Sequence, residues 1–504
     1  MHLAPITSTG EMPPTVQGRH WTRYNVAAVC FSSLGTLAYG YCGSIIGSTM
    51  GQPSFLEYMG LDTAPNAPQL LGAIGALFFG GGVCGCLVGS FVADRWGRRA
   101  AMALGAALQI VSAALLTGSV NVAMFIAFRF LNGMGAYMLL ACVPLYIAEI
   151  VPPQARGWLV DQVAVWNTFG YMLASWVGYG FFYWKGNDSA WRPPIAIQIV
   201  PATILLVGLK WLPESPRWLI SQDKGDQAWT TLNWLRTRPG DADDLIAKSE
   251  FLQIRAQFQL DSQFQSSYMS LLTYAPYRKR LIYGTLWVFF TQCSGALVIV
   301  NYSPVVYGLL GYGPQMQLLY SAGWLTLNFG ANFISQFTID LLPRNRYMPI
   351  GLSGCLMCLV IEAGLIAKYL YADPPNIAAL KAATFAVFFF AVWFGIFCDG
   401  AMFIFVTEIY PNHLRSKGVN LGLATHAAAN ILWTTPAPTA FATLVGIISI
   451  LLFFPDTRKV PLEEVARLFG DDEMVAVYQH ELTNTKIVEE KLTELQVEIV
   501  PQSA

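Results

Sequence analysis

The sequence predicts an all-α membrane protein of two six-helix bundles joined by a helical linker. Three observations predict it. Charged residues are only 12% of the 504-residue chain and hydrophobic residues are 54%, whereas soluble domains carry roughly 25% charge. Mean hydropathy is +0.45. Apolar runs long enough to cross about 30 Å of hydrocarbon come as six, a polar stretch, then six more. So little charge cannot cover a 55.4 kDa globule. That excludes a cytosolic enzyme, a nucleic-acid binder and a disordered scaffold.

The elements follow in chain order. Residues 1–25 form a polar tail with Pro5, Pro13 and Pro14 and lack the pattern of a signal peptide. The first span is therefore expected to be its own insertion signal. The N-terminal bundle, 26–212, has spans near 26–50, 70–93, 101–118, 121–147, 158–183 and 193–212. A cytoplasmic linker, 213–280, carries helical apolar spacing over Asp226–Arg236 and Asp243–Leu260. The C-terminal bundle, 281–454, has spans near 281–307, 316–339, 348–370, 381–409, 416–437 and 438–454, and a charged tail 455–504 follows. Only residues 418–454 lie between Lys417 and Pro455, and Pro436 and Pro438 mark a sharp turn. Two spans need about 20 residues each, so a shortened last helix is predicted at 440–454. A true deletion or a gene model that skips coding sequence would each produce it.

Lys and Arg set the orientation. With both termini inside, the inner segments hold 25 of the 30 Lys+Arg, and the outer loops only Lys185, Arg192, Lys368 and Lys381. Arg129 is the one left within a span. The nine Cys all lie in apolar stretches. Cys84-x-Cys86 and Cys355-x-x-Cys358 are read as small packing residues rather than as a metal or redox site. Neither a cofactor nor a metal is expected. Asn187-Asp-Ser189 is a weak glycosylation sequon on the outer side.

The two halves repeat. Asp94-Arg95-Trp-Gly-Arg98-Arg99 after span 2 corresponds to Asp340-Leu-Leu-Pro-Arg344-Asn-Arg346 after span 8. Glu149 to Arg156 after span 4 corresponds to Glu408 to Arg415 after span 10, both reading E-I-x-P-x-x-x-R. Pro213-Glu214-Ser-Pro-Arg217 after span 6 corresponds to Pro455-Asp-Thr-Arg458 after span 12. Positive-inside topology explains the Arg and Lys but not the placed Asp and Glu. Arg forks match carboxylates in a bidentate way. The motifs therefore read as an inner gate of Asp94, Arg95, Arg98, Arg99, Glu149, Arg156, Glu214, Arg217, Asp340, Arg344, Glu408 and Arg415. Salt bridges of Glu149 and Arg156, or of their cross-bundle equivalents, are expected when that face is closed.

At these motifs the chain resembles the sugar porter family of the major facilitator superfamily, and fungal hexose transporters in overall style. Arg129, Pro144-x-Tyr146-x-x-Glu149, Arg156-Gly157, Pro213-Glu-Ser-Pro-Arg-Trp218, Asn301-Tyr-Ser-Pro304 and Pro455-Asp-Thr with Leu462-Glu-Glu464 carry the likeness over about residues 26–464. The resemblance implies the major facilitator fold and alternating access around a central site. The pocket departs from the pattern. Gly40-Tyr41-Cys42 lacks the Asp of proton-coupled members, and a thiol is a poor proton carrier near neutral pH. Ala164 replaces a sugar-binding Gln, Gln292 survives while Leu297 replaces an Asn, Asp399-Gly-Ala-Met-Phe403 replaces G-P-x-P-W, and His426 replaces an Asn with Asn430 kept one turn on.

The expected solute-binding residues are Arg129, Trp166, Asn167, Gln292, Tyr302, Asp399, His426 and Asn430. Ionisable groups within spans face a cavity or a partner, and Glu362 is assigned to packing against a polar neighbour. The expected function is secondary transport of a small polar solute: a sugar, a polyol or a sugar-like compound. Export of a fungal secondary metabolite is the alternative, and a transporter-like nutrient receptor follows it. No enzyme motif is present. The expected partners are the solute and the lipid bilayer, with no nucleic acid, and the protein is expected to be a monomer of the plasma membrane. Transport unlinked to protons is the first expectation, and a coupling proton carried by Asp399 and His426 competes with it.

Overall fold

The computed structural model describes residues 22–433, apart from 153–154, 185–189, 237–244, 265 and 370–375. Among the described residues every regular element is helical. Span 1 is Arg23–Ser32 and Leu34–Met50, span 2 Ala67–Trp96, span 3 Arg98–Thr117, span 4 Val122–Ile150, span 5 Arg156–Phe182, and span 6 Arg192–Ile197 and Ile199–Gly208. Span 7 is Ala275–Gln292 and Ala296–Leu309, span 8 Pro314–Thr338, span 9 Arg344–Tyr369 and span 11 Asn412–Trp433. Span 10 runs Ile377–Phe394, through a π-helical turn Gly395–Asp399, to Gly400–Glu408. Residues 438–454, where the short last helix is expected, Asn187 and the Pro455 motif lie outside the described residues.

Six of these helices are long and apolar enough to cross a membrane: Arg23–Met50, Gln69–Trp96, Arg98–Thr117, Val122–Ile150, Arg344–Tyr369 and Ile377–Glu408. Spans 5, 8 and 11 are more polar for a structural reason. They bury Asp161, Gln162 and Asn167; Asn328, Asn332 and Gln336; and Asn420, His426 and Asn430. They turn those groups to the protein interior.

Span 2 packs most extensively on span 4, and span 1 on span 5. Glycine sets the first of these distances. A Cβ on Gly81 would lie 1.9 Å from the Phe130 oxygen, and one on Gly133 1.9 Å from the Phe78 oxygen. Small residues spaced along both helices let the backbones touch. This gives Gly80-Gly-Gly82 a packing role. The bundles meet where span 2 lies on span 11 and span 5 on span 8. Across the second contact Gln162 Nε2 donates to Gln336 Oε1 at 2.6 Å and Trp176 Nε1 to Thr326 Oγ1 at 2.9 Å.

Span 7 differs from expectation in its start and in its continuity. Span 7 begins at Ala275, not 281, and it is not one helix. It breaks between Gln292 and Ala296, where Gly295 adopts φ +82°. A left-handed residue ends the helical hydrogen-bond ladder, and glycine adopts that conformation without steric cost. An apolar run hides such a break because hydropathy does not register backbone handedness.

The linker helices Gly225–Arg236 and Leu245–Asp261 dock on the Asp94 end of the bundles. Arg236 donates to Ile150 O at 3.0 Å and to both Glu250 oxygens, at 2.5 and 2.8 Å. Trp218 Nε1 donates to Asp94 O at 3.0 Å. Burial works against the Glu250 charge, yet the Arg236 guanidinium outweighs it and holds this carboxyl below its usual range. A depressed folded value means the stabilisation is complete above the unfolded value of about 4.3. It is lost as pH falls through the folded value. Amide exchange over 225–261 should therefore accelerate as pH is lowered, measured against an exposed reference peptide. Glu250→Gln should flatten that dependence.

Candidate functional site

Between the bundles lie two adjoining cavities of about 500 and 440 Å³, which share Tyr39, Tyr171, Leu297 and Val300. Arg129 and Phe78 line the larger. Asn167, Gln292, Asn328, Asp399 and His426 line the smaller, beside Trp324. Each bundle thus supplies one part of the polar wall. Amides and hydroxyls against aromatic faces suit a compact hydroxylated solute, since apolar ring faces and placed polar groups both meet it.

Arg129 is 2% exposed. It lies 4.3 Å over the Phe78 ring and donates to Cys42 O at 3.1 Å and Asn132 Oδ1 at 3.4 Å. Its Nε has no acceptor, and no carboxylate pairs with it among the described residues. On the opposite wall Tyr137 Oη lies 3.0 Å from His426 Nδ1. Asn430 Nδ2 donates to His426 O at 2.7 Å and approaches Gln292 Oε1 at 3.4 Å. Asn430 thus stands behind Gln292 and His426, outside the cavity lining.

Two members of the expected pocket, Trp166 and Asn430, line neither cavity. Trp166 is half-buried and packs edge-on against Phe169, ring centres 6.1 Å apart. One residue along a helix turns a side chain by about 100°, so Asn167 faces inward and Trp166 does not. The Tyr302 side chain lies outside the described residues. Tyr39, Tyr171, Trp324 and Asn328 were missed. Their signal was the polar stripe Ser321, Asn328, Asn332, Ser335 on span 8 and the repeat Asn167, Tyr171, Ser175 on span 5. Glu362 stands near Tyr307 and Cys358, away from both cavities.

The repeated motifs converge on the linker face. Arg98 holds Glu149 through two bonds, Nε to Oε2 at 2.9 Å and Nη2 to Oε1 at 2.8 Å, and donates to Ala93 O. Lys417, not in the expected set, crosses between the bundles to Asp94 Oδ2 at 2.9 Å. Arg217 crosses to Asn412 Oδ1 at 3.2 Å. Glu408 exerts the strongest acidic pull on buried Arg156, and Glu149 acts on buried Arg415. Arg344 pairs with Asp340 at 2.9 Å.

Three expectations change here. Glu149 takes Arg98 of its own bundle, because the start of span 3 points a guanidinium at the end of span 4. Glu214 pairs with the head of span 3, and with no side-chain cation among the described residues. It accepts from the Arg98, Arg99 and Ser215 backbone N–H groups at 3.1, 3.2 and 3.0 Å, as an acid at a helix N-terminus does. Burial pushes its carboxyl up despite those donors. Arg95 is exposed and makes no ion pair among the described residues. Cross-bundle contacts thus tie the two halves together at this face. Glu408→Ala should leave membrane insertion intact and slow transport; an unchanged rate in vesicles would remove Glu408 from the gate.

Paired bundles around a central cavity, with repeated charged motifs at one end, fit an alternating-access transporter. The chain belongs to the family described as sugar (and other) transporter, which it matches over residues 27–469. It is 28% identical to the MFS-type transporter criB of Aspergillus cristatus over 87% of this chain and 91% of that one. It is 28% identical to the quinate permease of Neurospora africana over 90% and 89%. It is 26% identical to the high-affinity glucose transporter of Kluyveromyces lactis over 89% and 86%. Among solved structures it is similar in fold to the proton:xylose symporter XylE bound to 6-bromo-6-deoxy-D-glucose. There the TM-score is 0.77 and the identity 22%, over 88% of this chain and 99% of that one. The protein is a multi-pass secondary transporter of a small polar solute.

Proposed function

We propose that the solute is a small polyhydroxylated carboxylic acid of the quinate kind. Arg129 carries this reading: it is a buried cation on the cavity wall without an acidic partner among the described residues. A buried charge left uncompensated is costly, and a carboxylate in the cavity offsets that cost. Asn167, Gln292 and Asn328 then meet hydroxyls, and Tyr39 and Tyr171 the ring. Both termini face the cytoplasm in this reading, supported by the 25-to-4 distribution of Lys+Arg, and the membrane is taken to be the plasma membrane.

Counterflow in proteoliposomes with radiolabelled quinate, glucose and xylose tests the assignment. Quinate exchange should exceed that of either sugar at least tenfold. Equal or faster glucose exchange would make this a transporter of neutral sugars, a reading that the amide-rich wall also accommodates.

A further inference from the structure

Asp161 holds no role in the site described above, yet it is fully buried where spans 5, 8 and 10 meet. Its Oδ2 accepts from Ser335 Oγ at 2.7 Å, and its Oδ1 has no partner among the described residues. A Cβ on Gly400 would lie 1.5 Å from that Oδ1, so only glycine admits the carboxyl. The residue before it, Asp399, ends the π-helical turn and lines the cavity. Such turns recur at functional sites. Asp161 and Asp399 interact electrostatically. Asn332 faces Asp399, and its own buried Oδ1 also lacks a donor. No ion pair reaches either carboxyl among the described residues.

Two buried acceptor oxygens here, Asp161 Oδ1 and Asn332 Oδ1, therefore lack a donor among the described residues. Two neighbouring buried carboxylates with no cation are prohibitively costly, and a proton supplies the missing donor. We propose that Asp161 and Asp399 share one proton and form the coupling site of this transporter, doing the work for which Cys42 is unsuited. Asp399 takes the proton from the cavity and Asp161 holds it. One O–H bond forms on entry and breaks on exit, and no other bond changes.

A polar thread leads on toward the linker face. Thr338 Oγ1 reaches Ser335 O at 3.2 Å and meets Tyr347 Oη at 2.8 Å. The ionisable groups around Asp161 are Asp399 on span 10, Asp340 at the end of span 8, Arg344 and Tyr347 on span 9, and Arg156 on its own span. Tyr171 and His426 stand on the cavity side of Asp399. Arg344 is engaged with Asp340 and Ile339 O.

This inference rests on the chain being a transporter but not on the solute's identity, so its test needs no solute. Infrared difference spectra of the full-length protein in lipid, acid minus alkaline buffer, should show the C=O stretch of a protonated buried carboxyl. Asp161→Asn should abolish that band. Ser335→Ala, which removes one donor and little volume, should move it to higher frequency. Glu362→Gln should leave it unchanged. A band that persists unaltered in Asp161→Asn and Asp399→Asn, that ignores Ser335→Ala, or that disappears in Glu362→Gln would overturn the proposal. In vesicles, Asp161→Asn should retain counterflow and lose accumulation driven by a proton gradient. Silent quinate counterflow in the wild type would count against the solute alone.

Discussion

Arg129→Gln should lose affinity for a carboxylate solute by roughly 30-fold to a few thousandfold. Removing one partner of a buried, hydrogen-bonded charge pair costs about 2–5 kcal/mol, and each 1.4 kcal/mol is tenfold. Arg129→Lys should recover only part, since an ammonium cannot reproduce the planar fork. Stability should move the other way. The cation has no acidic partner among the described residues, so its removal leaves no orphaned charge. The melting temperature of the purified variant should equal or exceed that of the wild type. Binding by isothermal titration, together with melting, separates recognition from folding. A variant that binds quinate as tightly as the wild type would remove the carboxylate reading.

Breaking the Arg98–Glu149 pair should have the next largest effect, on stability. The side chains are 7% and 2% exposed. Removing one partner leaves a buried charge alone, which typically costs about 3–5 kcal/mol. Arg98→Gln and Glu149→Gln should therefore each lower the melting temperature in detergent. Arg98→Met with Glu149→Leu should recover most of the loss, because a well-packed apolar pair avoids desolvating two ions. Transport should not recover with it, since Glu149 also acts on Arg415 of the other bundle. Wild-type melting temperatures in both single variants would show that this pair carries no structural weight.

The charged motifs at the linker face were readable in the sequence. A duplicated motif shows twice, and each charge has to have a reason to sit at a helix end. The partners within it were less readable. Glu149 and Arg98 are 51 positions apart, and no spacing rule links them. Lys417 looked like an ordinary inner-face charge until its distance to Asp94 was known. The pocket divides in the same way. Asp399 and His426 stood out because charge inside a span is costly. Tyr39, Tyr171 and Trp324 did not, among the many aromatics of a membrane protein.

Composition, apolar run length and internal repetition were enough for the helical class, the two bundles and the placement of the charged ends. Each depends on hydrophobicity summed over many residues, which a linear chain records. Which side of span 5 faces the cavity, where span 7 breaks, and that Asp161 finds Ser335 and Gly400 but no cation among the described residues were settled by packing alone. Helix rotation is chosen by fit between neighbours, and a change of about 100° exchanges Trp166 for Asn167. That choice depends on contacts between residues far apart in the chain, so hydropathy cannot carry it.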